Sequence, residues 1–321
     1  MDKSELSVEC AFNSVQEGME TYQCRICAKP LGSPYSRMGY EWAVCGHCKS
    51  IQKVMDKSGY HSLAPSYDPG CMFSDEMTDA QISRVLGVAE KTRILRSYRS
   101  REPQKFLDIG CGAGGYLLAA RSLGFEVRGI EPSLSHSEVA RTKLGLPVTN
   151  GYFESGKLSE QFDVVMLSHV IEHIFEPLKF IEDIFRVVAP GGALIVVTPN
   201  VESLSAKITG KYWSMLKPVD HVTMLGKRSM SICCPPGAMI ESLYTHEWPG
   251  EFAAHMVSAC KQWVRPSISN MVSVGRPRIT AQKETISVVV KSVLALLSSP
   301  FFAMASGVDR KSCLTAVFRK Q

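Results

Sequence analysis

The chain has 321 residues, 45% of them hydrophobic and 21% charged. That composition excludes a disordered or fibrous protein and leaves room for one large domain with an appendage, or two modest ones. The formal net charge of +5 is mild but uneven, with basic residues outnumbering acidic ones six to two between 22 and 57 and seven to two between 84 and 105; solvated surface accounts for this as readily as an anionic partner does.

Residues 1–20 show no period and read as a flexible tail. The start, Met1-Asp2-Lys3-Ser4-Glu5, is polar and has no apolar signal core, so the eleven cysteines are expected in a reducing, cytoplasmic setting. Residues 21–58 hold two C-x-x-C knuckles, Cys24-Arg-Ile-Cys27 and Cys45-Gly-His-Cys48. Two tight turns that each present a pair of thiolates suit a tetrahedral zinc ion, so Cys24, Cys27, Cys45 and Cys48 are predicted to form a structural zinc ribbon. So short a segment buries little apolar surface, and metal binding is expected to supply most of its folding free energy. Closed four-thiolate coordination leaves no position for substrate, and His47 reads as a surface side chain.

Residues 59–99 are predicted as a connector and a helix. The helix starts at Thr78 or Asp79 and runs to about Tyr98, with Ile82, Val85, Leu86, Ala89, Ile94 and Leu95 near one face. From 100 to 321 the pattern becomes an α/β alternation. Apolar strands are expected at 105–109, 125–130, 147–149, 162–167 and 193–197, with helices beginning near Ala113, Ser135 and Pro177. This spells a doubly wound, mainly parallel sheet. Later come a short helix at 228–234 and strands at 239–247 and 314–319. The intervening stretch of about 250–311 is expected to be a helical insertion. Its apolar run at 286–305 is interrupted by Lys291 and by Ser298-Ser299-Pro300, which argues against a spanning helix and leaves peripheral membrane contact open.

The stretch around which the domain is organised is Phe106 to Gly115, an apolar strand entering a glycine turn. Glycines permit positive φ and let backbone approach a ligand closely, and the helix beyond begins with free N–H groups. Asp108, just before the first glycine, would repel a pyrophosphate but suits a cationic ligand. This disfavours a nicotinamide oxidoreductase. Glu131, at the tip of the next strand, lies where an acidic side chain meets a ribose diol. With Asp108-Ile109-Gly110-Cys111-Gly112-Ala113-Gly114 as its first motif, the sequence resembles the class I S-adenosylmethionine-dependent methyltransferases over roughly 105–249. The resemblance implies a Rossmann-like seven-stranded sheet in which the 314–319 strand is inserted antiparallel between the fifth strand and the sixth, at 239–247. It also implies S-adenosylmethionine as methyl donor, held by Asp108, Gly110, Cys111, Gly112 and Glu131, with Ser168 and His169 beside it.

The run Leu167-Ser-His-Val-Ile-Glu-His173, followed by Glu176-Pro177, resembles the fourth motif of small-molecule and glycan methyltransferases. A neutral imidazole near pH 7 is a competent base, so His173 is a candidate proton acceptor. His169, nearer the strand, is expected to touch the donor and is a further catalytic candidate. His221, in Lys217-Pro-Val-Asp-His221, resembles the family segment that closes over the site and is a second candidate base, with Tyr212 and Trp213 walling the acceptor pocket. Each histidine also has a structural reading as a hydrogen-bonded core residue. Glu172, Glu176, Asp220 and His221 could instead collect a divalent cation. The expected function is methyl transfer to a hydroxyl of a small molecule or a sugar, such as a glycan precursor, since a zinc ribbon ahead of such a domain resembles sugar-modifying methyltransferases. The alternatives are an RNA methyltransferase that grips phosphates with the ribbon and the arginine-rich helix, and a silent adaptor that keeps the fold as a scaffold. The absence of an Asn-Pro-Pro-aromatic run weighs against the first, and the intact glycine turn against the second.

Overall fold

Nearly uninterrupted apolar runs become strands covered on both faces, because such strands have no side left for water. The computed structural model describes residues 22–37, 39–63, 77–100, 102, 104–154, 156–217, 220–247, 251–264 and 310–321. The N-terminal part holds β1 (Tyr35–Arg37), β2 (Tyr40–Val44), β3 (Ile51–Lys53), α1 (Lys57–Leu63), α2 (Asp79–Val85) and α3 (Val88–Leu95). The alternating part runs β4 (Lys105–Ile109), α4 (Gly115–Ser122), β5 (Glu126–Glu131), α5 (Leu134–Glu138), β6 (Val148–Asn150), β7 (Phe162–Ser168), α6 (Pro177–Phe185) and β8 (Val188–Pro199). It continues with α7 (Leu204–Thr209), β9 (Thr223–Met224), α8 (Lys227–Ile232), β10 (Ala238–His246), α9 (Glu251–Val264) and β11 (Cys313–Lys320).

Seven strands form one sheet in the order β10-β11-β8-β7-β4-β5-β6. Strands β4 to β8 pair in parallel, and β11 lies antiparallel between β8 and β10, as the resemblance implies. The chain winds outward from β4 through β5 and β6 on one side and β7 and β8 on the other. The switch point, and with it the ligand crevice, falls at the C-terminal ends of β4 and β7. Alternation along the strands divides the core. Leu107, Ile109, Leu167 and Val196 pack with Ile181 and Ile184 of α6, whereas Phe106, Met166 and Ile195 pack with Leu117 of α4 and Leu95 of α3.

Three expectations change. The helix predicted from 78 to 98 is two helices: Thr78 and Gln81 cap α2 reciprocally, and Gly87, at φ 63°, ends it in the left-handed conformation that glycine adopts without strain. Strand β8 starts at Val188, ahead of the apolar run at 193–197, because Val188 already pairs with Phe162. The ribbon is not a free-standing unit, since β3 pairs antiparallel with β9 of the larger domain and completes a four-stranded sheet. Cys24, Cys45 and Cys48 share a core cluster with Met230 and Cys233, so docking adds stabilisation that the isolated segment lacks. Residues 265–309, with the apolar run at 286–305, lie outside the described residues. Among the described residues no helix is long and apolar enough to cross a membrane.

Candidate donor and acceptor site

The turn after β4 takes positive φ at Gly110 (71°), Gly112 (54°) and Gly114 (93°). A Cβ on Gly110 would sit 2.4 Å from Val170 Cγ2, whereas one on Gly112 would meet nothing within 4 Å. Gly110 is thus needed for packing against the loop after β7, and Gly112 leaves a bare backbone facing open space. Replacing Gly110 with Ala adds left-handed strain of about 1–2 kcal/mol and displaces Val170. We expect a fall of at least about tenfold in donor affinity by calorimetry, with the rest of the fold intact by circular dichroism. Cys111 contributes backbone rather than a reactive thiol: its side chain is buried, and burial pushes that thiol well above the usual range.

Asp108, at the end of β4, is buried, and its Oδ1 has no hydrogen-bond partner. Burial, and then the Glu131 charge, push its carboxyl up to about 8 against the opposing pull of Lys91. Glu131, at the end of β5, accepts hydrogen bonds from the Gly112 N–H at 2.7 Å and the Ser133 N–H at 2.8 Å. Lys91 was missed from sequence although it follows Val88 by three residues and precedes Leu95 by four, on the apolar face of α3. Its Nζ donates to the Leu86 carbonyl at 2.6 Å and lies 5.0 Å from the Tyr116 ring. An orphaned buried carboxylate oxygen, an open glycine backbone and a second carboxylate on the neighbouring strand fit a cationic adenosine derivative.

Beyond β7, half-buried Ser168 leads into exposed His169, whose φ of 57° turns the chain out of the strand. The His169 N–H donates to the Val197 carbonyl at 2.8 Å, and its Nδ1 lies 3.1 Å from Glu172 Oε1. Thr198 donates to Glu172 Oε2 at 3.0 Å. Burial alone would push Glu172 up, but the His169 hydrogen bond and the neighbouring histidines outweigh it and hold the carboxylate down at about 2. An ionised carboxylate only accepts, so His169 Nδ1 carries the proton and Nε2 keeps its lone pair.

Backbone carbonyls fix the tautomer of the other two histidines in the same way. His173 Nδ1 lies 3.0 Å from the Asp220 carbonyl and His221 Nδ1 2.6 Å from the Met215 carbonyl, so both keep a free Nε2. Their rings meet edge to face at 4.7 Å. Burial, and then the His173 charge, push buried His221 down to about 3. The three histidines named from sequence therefore gather around Glu172, whose central place sequence reasoning missed.

The four-residue cation set is not assembled. Glu176 is exposed and pairs with Lys57 at 2.7 Å, and Asp220 offers His173 its carbonyl. Glu172 and His221 instead bring possible ligand atoms within 4.8 Å of one another together with His173. Trp213 is not a pocket wall either, because it is buried among Trp42, Leu216 and Met224. His255 of α9 is buried beside it, with its Nδ1 2.5 Å from Ser214 Oγ. A depression of about 580 Å³ beside Lys105, Arg128 and Glu160 lies at the opposite ends of the strands and includes none of these groups.

Residues 83–234 match the family described as Methyltransferase domain. Ubiquinone biosynthesis O-methyltransferase of Maricaulis maris (strain MCS10) is 31% identical over 171 residues, 46% of this chain and 67% of that protein. The chain belongs to the class I S-adenosylmethionine-dependent methyltransferases. Norajmaline N-methyltransferase of Rauvolfia serpentina is 30% identical over 165 residues, 46% of this chain and 56% of that protein. The matches thus span between about half and two thirds of the length of the curated relatives. A crystal structure of coclaurine N-methyltransferase bound to N-methylheliamine and SAH aligns over 79% of this chain and 77% of that one, at 16% identity and a TM-score of 0.46.

In this chain the four knuckle sulfurs lie within 4.8 Å of one another. Backbone N–H groups of Ile26 and Cys48 point at Cys24 Sγ and Cys45 Sγ at 3.4 Å, and the Gln52 amide donates to Cys24 Sγ at 2.9 Å. Donors aimed at sulfur favour thiolates, so this set fits a zinc ion.

Proposed function

We propose that this methyltransferase moves a methyl group from S-adenosylmethionine to a hydroxyl of a sugar, a glycan precursor or another small molecule, with His169 receiving the proton. The donor, when bound, supplies an electrophilic methyl group on a sulfonium. Asp108 would face its cationic methionine end, Glu131 its ribose diol, and the Gly110–Gly112 backbone would pass close beside it. Ser168 and His169 stand at the β7 edge of the same crevice.

The observation that carries the acceptor side is the Glu172–His169 pair. A hydroxyl must shed its proton as the new O–C bond forms, whereas a neutral amine can attack with its lone pair. An imidazole backed by a buried, ionised carboxylate is what an oxygen acceptor requires, because Glu172 orients His169 and stabilises the imidazolium that forms. The relatives' names point to both nitrogen and oxygen acceptors, and this pair favours oxygen. His221 is buried, and burial disfavours its taking a proton. His173, favoured by sequence alone, is held by a neutral carbonyl and is the second choice. Zinc held by Cys24, Cys27, Cys45 and Cys48 would be structural, and the docked ribbon would border the acceptor.

Calorimetry with the zinc-loaded protein should show binding of S-adenosylmethionine and its homocysteine product. A labelled-methyl screen over sugar nucleotides, glycans and phenols should then return an O-methylated product; uptake of neither ligand removes the proposal. With that acceptor, His169→Ala should lower turnover by about 10²-fold or more while donor affinity stays within about twofold, and His173→Ala should cost less. The reverse order would make His173 the base.

A further inference from the structure

Arg25 lies inside the first cysteine knuckle, yet its side chain reaches the larger domain. Its Nη1 and Nη2 donate to the Lys53 carbonyl at 3.1 Å each, and Nη2 also donates to the Val222 carbonyl at 2.6 Å. Nε donates to Thr223 Oγ1 at 3.3 Å, and the guanidinium stacks 4.7 Å from the Phe175 ring centroid. Its backbone N–H donates to Gln52 Oε1 at 3.0 Å, and the same Gln52 amide donates to Cys24 Sγ.

From Val222 the connection continues into the site. The Val222 N–H donates to the Glu172 carbonyl at 2.8 Å, and Glu172 holds His169. Phe175, under the guanidinium, is two residues from His173, and Val222 follows His221. One planar fork therefore fixes both segments that carry the histidines, in a geometry that lysine cannot reproduce.

Charge points the same way. Among the described residues Arg25 has no carboxylate within ion-pair distance, and all its side-chain acceptors are neutral oxygens. A zinc ion with four thiolates carries a net charge of about −2, which would offset a half-buried guanidinium, whereas four neutral thiols would not.

We propose that Arg25 is a positioning residue that couples metal occupancy of the four-cysteine site to the placement of Glu172 and the histidines around it. This rests on the proposed zinc site and on the proton-accepting role given to His169, and it adds a regulatory link: loss of zinc disables the acceptor side while the donor turn stays formed.

Amide hydrogen exchange on the full-length, zinc-loaded protein tests the coupling without an acceptor. In Arg25→Ala, zinc should remain at one ion per chain by atomic emission and donor affinity should stay within about twofold. Exchange at 171–175 and 221–224 should rise about tenfold or more, with 106–117 unchanged. Stripping zinc from the wild type with a chelator should give the same rise at 171–175, and stripping it from Arg25→Ala should add nothing there, because that segment lies outside the β3–β9 pairing that ribbon unfolding breaks directly. Arg25→Lys should fall between the two, which keeps the test decisive if the alanine variant folds poorly. Wild-type exchange in both variants, a further rise at 171–175 on zinc removal from Arg25→Ala, or equal loosening at 106–117 would each overturn the coupling. A protein that shows the coupling but binds no donor would instead sink the methyl-transfer reading alone.

Discussion

Asp108→Asn should bind S-adenosylmethionine about 10- to 100-fold more weakly than the wild type, and yet melt at a higher temperature than the ligand-free wild type at pH 8. Both effects come from one buried carboxyl. In the folded protein it sits at about 8, against 3.8 for an unperturbed aspartate, because burial and Glu131 disfavour its charge. The folded state therefore holds a proton that the unfolded chain gives up. This favours the folded state most at low pH, and the advantage is lost as pH rises from about 4 to about 8. Asparagine has no charge to bury, so the variant should lack this slope and gain on the order of 2 kcal/mol at pH 8, or about 4–8 °C in Tm for a domain of this size.

The cationic donor reverses the preference by drawing the carboxyl into its ionised form. Binding at pH 7 should accordingly release close to one proton, read from calorimetry in two buffers of different ionisation heat, and affinity should rise with pH up to about 8. An asparagine cannot supply the charge, and a charge-assisted hydrogen bond contributes about 1.5–3 kcal/mol. Wild-type affinity in the variant, or binding without proton release, would remove Asp108 from the donor site.

The features legible in the sequence were local ones. Strands β4 and β7 are apolar runs whose neighbours in the chain already dictate their burial, and Asp108 and Glu131 were found because each stands at the end of an expected strand. The place of β11 followed from the family resemblance and not from its own residues. What escaped was set by contacts between distant segments. Strand β9 is two residues long and has no period of its own, so its pairing with β3, and with it the docking of the ribbon, leaves no mark in the sequence. Arg25 looked like any knuckle residue until Val222 and Phe175 came beside it. Glu172 was read as half of a Glu-His motif or as one ligand of a cation, because its burial depends on Thr198 from another strand. Gly87 was the exception. A glycine inside an apolar helical period was visible punctuation, and the break there could have been predicted.

Glu172→Gln should separate the roles of shape and charge at the acceptor side. The amide keeps the volume of the carboxylate, and its oxygen can still accept from His169 Nδ1–H. The Thr198 hydroxyl can rotate to accept from the new NH₂ group. The variant should therefore fold, at a cost of about 1–3 kcal/mol for the lost charge-assisted hydrogen bonds. Its pH dependence gives an independent check. Glu172 sits at about 2 in the folded protein against 4.5 in its unperturbed state, so its contribution is fully present above about pH 4.5 and is lost as pH falls toward 2. In the wild type, stability should fall over that window, and in the glutamine variant this part of the fall should be missing. Donor affinity should be unaffected, because Asp108, Glu131 and the glycine turn are untouched. Methyl transfer should fall by about 10²-fold or more, since the imidazolium formed on His169 no longer faces a negative charge. If transfer persisted at the wild-type rate while the acid-side stability changed as expected, Glu172 would be a structural anchor only, and its charge would play no part in the proton transfer.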